Sequence, residues 1–265
     1  MKKTLILTAA AGMLFAASPA FAQGIIAKKD GTEIKTATIE VSQKGDYRYT
    51  EYNDKTKTGK SIKKSQVKWA WCPMPKEILQ LDKNGGSSSA YLKLADAFSA
   101  VSWEPYCLLQ AAKAEIAAGN KKEAAAILGK LQDYKKINPK NEDHVMAAYE
   151  LLVKTYIEQG EYDKAIPVAD TLVNSSNDNV ACSALLSKGD ALKAKAGATG
   201  DREALKHAAL AYFEAALIFP NSEKNAAALF AAYTCMQAAK DARAQKFAEL
   251  LKRNHPQSPE AANLK

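Results

Sequence analysis

Residues 145–177 read VMAAYELLVKTYIEQGEYDKAIPVADTLVNSSN. Tyr149, Leu152, Val153 and Tyr156 stand at i, i+3, i+4 and i+7, which puts all four on one face of a helix. Gly160 follows, where a tight turn between paired helices needs a residue that tolerates positive φ. Ala165, Ala169 and Leu172 then mark a second helix whose small residues let it approach the first closely. The stretch predicts a helical hairpin.

The pattern recurs on both sides. Ala208, Tyr212, Ala215 and Pro220 lie at offsets 0, 4, 7 and 12, and Ala244, Ala248, Leu251 and Pro256 repeat them. Ala124, Leu128 and Leu131 match the first three, with Lys136 at the last place and Pro139 three residues on. Asn177 holds the last place after Ala165. A proline there stops a helix before the next begins. Leu108, Ala111 and Ala112, and likewise Ala228, Ala231, Ala232 and Cys235, supply first-helix faces. Leu185, Gly189 and Leu192 do so in the third unit, where Ala198 to Leu205 reads as an insertion.

These spacings resemble the tetratricopeptide repeat, with divergent repeats over residues 103–258. Leading alanines at 124, 165, 208 and 244 are spaced 41, 43 and 36, against about 34 in that family. The resemblance implies a mainly α fold, an α-solenoid of helical hairpins.

Ahead of the repeats the composition changes. Ile25 to Lys28, Glu33 to Ser42, Asp46 to Tyr52, Gly59 to Lys63 and Gln66 to Trp71 read as short strands, the first three set off by turn signals such as Asp30-Gly31 and Lys44-Gly45. Five strands in so few residues predict a small antiparallel unit, similar in outline to SH3-like or Sm-like barrels. It is basic, with eleven Lys/Arg and six Asp/Glu between Gly24 and Trp71. The expected organisation is a β domain over 23–72, connecting helices with a Gly-Ser linker over 73–102, and repeats over 103–265.

The first 22 residues read as a secretory signal peptide. Lys2-Lys3 is a basic start, Thr4 to Ala17 is largely apolar, and Ala20-Phe21-Ala22 is an A-x-A cleavage pattern before Gln23. Export, to periplasm or medium, is the expectation. No later run reaches the roughly 18 apolar residues of a transmembrane helix. The whole arrangement resembles uncharacterised envelope proteins of planctomycete and verrucomicrobial bacteria.

Catalytic signatures are absent. The sequence has no H-E-x-x-H, C-x-x-C, G-x-S-x-G or phosphate-binding glycine loop, and His144, His207 and His255 are scattered. No enzyme activity, cofactor or metal is expected. Tyr47, Tyr49, Tyr52, Trp69 and Trp71 interleave with basic residues, a combination that suits nucleic acid, but export argues against that partner. An envelope protein or peptide is the expected partner. It would be bound on the concave face, with an anionic glycan or peptidoglycan contact by the basic β unit as the alternative.

With Leu108, Tyr149, Leu185 and Ala228 as equivalent packing positions, Lys113, Lys154, Asp190 and Tyr233 point into the groove, flanked by Gln110 and Glu150. That groove would be cationic across the first two repeats and aromatic at the fourth. In an oxidising compartment Cys72 and Cys107 are the candidate disulfide, stapling the β unit to the helices. Cys182 and Cys235 read as buried small hydrophobes. N-terminal sequencing of protein from the envelope fraction is expected to start at Gln23; an intact Met1 there would refute export with cleavage.

Overall fold

The computed structural model describes residues 13–16, 24–131, 134, 136–175 and 178–264. The chain is mainly helical, with a small antiparallel sheet near its start. It forms two compact units, Met1–Ala114 with Lys135–Glu142, and Glu115–Tyr134 with Asp143–Lys265.

In the first unit the strands are β1 (Met13–Ala16), β2 (Gly24–Lys28), β3 (Glu33–Val41), β4 (Tyr47–Glu51), β5 (Lys60–Ile62) and β6 (Val67–Trp71). Their order is β5-β4-β3-β2-β6, so the last strand pairs with β2 and not with its neighbour in sequence. A 3₁₀ turn at Lys64–Gln66 leads directly into that last strand. β2 to β6 each fall within two residues of their expected limits, while β1 lies in the stretch read as the leader and was not expected as a strand. Ile26, Ile39, Tyr47, Tyr49 and Ala70 fill the buried face. β1 pairs with Thr38–Val41 of β3, and the rest of the expected leader, including the Ala22 cleavage point, lies outside the described residues.

β6 is an edge strand, and its outward carbonyls need donors. Ser102 Oγ donates to Ala70 O at 2.6 Å, and Trp103 Nε1 to Cys72 O at 2.9 Å. Ser102 sits in the left-handed region, φ +67°, after a 3₁₀ turn at Ser99–Val101, and so aims its hydroxyl back at the strand. Asn138 Nδ2 donates to the same hydroxyl at 3.0 Å, and Asn138 N–H donates to Asn141 Oδ1 at 2.9 Å. Ser102, Asn138 and Asn141 are all buried.

Helices α1 (Lys76–Lys83), α2 (Ser88–Ala97) and α3 (Glu104–Ala117) follow the sheet. The Gly-Ser stretch expected as a linker is a helix-to-helix turn. Gly86 packs so tightly on Leu81 and Tyr91 that a Cβ would clash, and Ser87 caps α2 by accepting from Ala90 N–H. Asp82 holds the three helices together, accepting from Tyr91 Oη at 2.8 Å and Tyr106 Oη at 2.7 Å.

The second unit contains α4 (Lys121–Gly129), nearly all of α5 (Glu142–Glu158), α6 (Tyr162–Val173), α7 (Asp178–Thr199), α8 (Arg202–Ile218), α9 (Asn225–Ala238), α10 (Ala244–Asn254) and α11 (Pro259–Ala262). From α6 to α10 each helix packs on the next. The leading alanines 124, 165, 208 and 244 are all buried. Gly160 closes α5 at φ +74°, and Glu161 N–H reaches Tyr156 O, the bond that ends a helix around a left-handed residue. The Ala198–Leu205 insertion lengthens the helices. α7 runs to Thr199, and Asp201 caps α8 by accepting from the Glu203 and Ala204 N–H groups.

Gly189 lets α7 and α8 touch: a Cβ there would stand 2.6 Å from the Tyr212 ring. At the C-terminus, both amide hydrogens of Asn225 go to Ala216 O and Phe219 O, so its Oδ1 accepts from His255 Nε2 at 2.7 Å. That bond ties the end of α10 to the start of α9.

Ser102→Ala removes a donor to Ala70 O and an acceptor for Asn138, and is expected to cost about 2–3 kcal/mol. Ser102→Gly loses the same bonds without left-handed strain and is expected to recover about 1 kcal/mol of this. Denaturant unfolding checks both, and wild-type stability in Ser102→Ala would contradict the edge-capping role.

Candidate functional site

Helices α5, α7 and α9 alternate with α6 and α8 in the chain, and together they line a groove of about 660 Å³ within the second unit. Its surface is mainly apolar, from Val153 and Ile157 on α5, Leu186 on α7 and Ala227 on α9. Charged and hydroxyl groups stand around that floor. α5 supplies Glu150, Lys154 and Glu158, α7 supplies Ser183, Ser187 and Asp190, and Lys224 comes from the turn before α9.

The α5 wall compensates itself. Lys154 has Glu150 and Glu158 one helical turn away on either side. Lys121 bonds Glu158 at 2.6 Å and holds its carboxyl below the ordinary value, with Lys154 adding to the effect. On α7 and α9 the charges are tethered by hydroxyls. Lys224 Nζ donates to the buried Ser183 Oγ at 2.6 Å. Asp190 Oδ1 accepts from the buried Tyr212 Oη at 2.5 Å. Burial, and then the Asp190 charge, push the Tyr212 phenol well above its usual range.

No family model, characterised protein or solved structure matches the chain.

Of the residues expected in a groove, Glu150, Lys154 and Asp190 meet around this cavity, while Gln110 and Lys113 fall in the first unit and do not line it. Tyr233 does not line it either. It is 3% exposed and packs in the core with Ala208, Tyr212, Met236 and Phe247, its hydroxyl accepting from Gln237 Nε2 at 2.6 Å. The reason is that α10 covers this part of α9, and an aromatic there fills the seam. The groove is thus of mixed charge where a cationic one was expected. Ser183, Lys224 and the Ile157–Ala227 floor were not singled out in sequence. Lys224 precedes α9, outside the helix whose period located the other positions.

A second cavity, of about 580 Å³, lies at the β3–β4 hairpin and includes Glu40, Lys44, Asp46 and Arg48. Its carboxylates offset its cations, and Asp46 already accepts from Lys64 N–H at 2.9 Å. Among the described residues no group of three His, Cys, Asp or Glu could hold a metal ion, and no helix is long and apolar enough to cross a membrane.

All four cysteines are free and buried, so the bridge expected between Cys72 and Cys107 is not formed. Burial pushes both thiols up to about 12. Thiolate is the reactive form, so these are inert packing residues. Native protein at mildly alkaline pH is expected to leave all four thiols unmodified by a disulfide reagent, with all four reacting on denaturation. For Cys72 and Cys107 the unfolded chain releases the proton near 9.0 and the folded one near 12. Stability is therefore complete below the lower value and falls as pH rises between the two. Denaturant midpoints across that window check the sign.

Proposed function

We propose that the protein is an exported, non-enzymatic binding scaffold of the cell envelope, a tetratricopeptide-like solenoid preceded by an SH3-like β unit. It holds an extended peptide segment of an envelope partner in the groove of α5, α7 and α9. One observation carries this reading: three non-consecutive helices give one apolar floor ringed by charged groups, the usual make-up of a peptide-recognition surface. The solenoid assignment is supported by the buried alanines that lead alternate helices and by the positive-φ turns at Gly119 and Gly160. The SH3-like assignment is supported by a 3₁₀ turn before a last strand that pairs with β2. The basic, apolar, A-x-A start supports export.

Ala227 is exposed on the groove floor, so Ala227→Trp fills the groove without entering the core. The variant is expected to keep the wild-type circular dichroism and melting temperature. It should retain at least about tenfold less partner from the native envelope. Equal retention of the same partners by both proteins would refute the groove reading.

A further inference from the structure

The groove has a polarity, and we propose that it selects a dipolar segment: an acidic side chain at one end, an apolar one in the middle and a basic one at the other. This rests on the peptide-binding reading above and names the chemistry of the occupant.

The polarity runs along α7. Ser183 and Asp190 are seven residues apart on that helix, about 10 Å along its axis at 1.5 Å per residue. Lys224 Nζ is fixed at the Ser183 end by its 2.6 Å bond. A cation and a carboxylate therefore stand about 10 Å apart, with Leu186 between them on the groove wall.

Both charges are preorganised. Ser183 and Tyr212 are buried and take up one direction of each charged group, leaving the remaining Nζ hydrogens and carboxylate lone pairs for a ligand. Holding a charge in place before binding removes an ordering cost from association. The α5 wall does not blur this polarity, because Lys154 is compensated by Glu150 and Glu158 on either side.

An extended chain presents alternate side chains to one face. Residues i, i+2 and i+4 span about 13 Å, which flexible Glu and Lys side chains can draw in to match the groove. The fitting pattern is acidic-x-apolar-x-basic. The acid lies toward Lys224, the apolar group rests on Leu186 and Ile157, and the base lies toward Asp190. Either chain direction satisfies it, since the charges and not the backbone set the fit.

The test titrates mature protein, labelled at Leu and Val methyls, with acetylated and amidated pentapeptides. Glu-Ala-Leu-Ala-Lys is compared with Gln-Ala-Leu-Ala-Gln, Lys-Ala-Leu-Ala-Lys and Glu-Ala-Leu-Ala-Glu. The dipolar peptide is expected to shift the Leu186 and Val153 methyls and to bind at least about tenfold more tightly than the other three. Lys224→Gln should lower that preference to under about threefold. Asp190→Asn, which keeps an acceptor for Tyr212 and so protects the fold, should do the same. Equal binding of all four peptides overturns the polarity while leaving a peptide groove. No methyl shift with any of them overturns the groove reading as well.

Discussion

The first unit depends on what happens at the free edge of β6. An edge strand with its outward carbonyls unmet either attracts another strand or must be capped from within. Here two consecutive residues, Ser102 and Trp103, donate to Ala70 O and Cys72 O. That pairing fixes where the chain leaves the 3₁₀ turn and hence where α3 begins, with Cys107 N–H bonding to Trp103 O in its first turn. Asn138 adds a donor to the same serine hydroxyl, so residues far along the chain are drawn into the one buried polar cluster. A cluster of this kind works only when every member is satisfied, and the Ser102, Asn138 and Asn141 side chains all have partners.

The second unit is governed by smallness. Ala124, Ala165 and Ala208 have no exposed surface at all, and Gly189 admits the Tyr212 ring where any Cβ would collide. Helices that close in on one another in this way leave their outward residues to line whatever space remains. The groove is a consequence: Ile157 and Leu186 line it from α5 and α7, whose buried faces are spent on neighbouring helices. The same contact that needs Gly189 also positions Asp190, since Tyr212 reaches past the glycine to bond the next residue.

The strands and helical hairpins were legible because their signals are local. Alternation marks a strand, a 3.6-residue period marks a helix, and Gly160 marks a turn that requires positive φ. Ser102 in the left-handed region was not legible, because nothing in Ala100-Val101-Ser102-Trp103 distinguishes it from an ordinary helix cap. The Gly-Ser stretch has the composition of a flexible loop or linker, but composition does not show what its residues do in the turn between α1 and α2, where Gly86 packs closely against Leu81 and Ser87 caps α2. Half of the groove was legible from equivalent helix positions. Lys224 was not, since its place is set by Ser183, forty-one residues earlier, and Tyr233 was misplaced because burial by α10 is a tertiary effect.

Charge counting along a sequence treats every lysine and aspartate alike, and this groove shows why that fails. Lys154 is exposed and flanked by two carboxylates on its own helix, so its field is largely cancelled before any ligand arrives. Lys224 and Asp190 differ in being tied to buried hydroxyls, which hold them in fixed positions beside an apolar wall. The charge character of the groove is therefore set by which charges are anchored and not by how many there are. Those anchors come from Ser183 and Tyr212, residues that packing alone placed on facing helices.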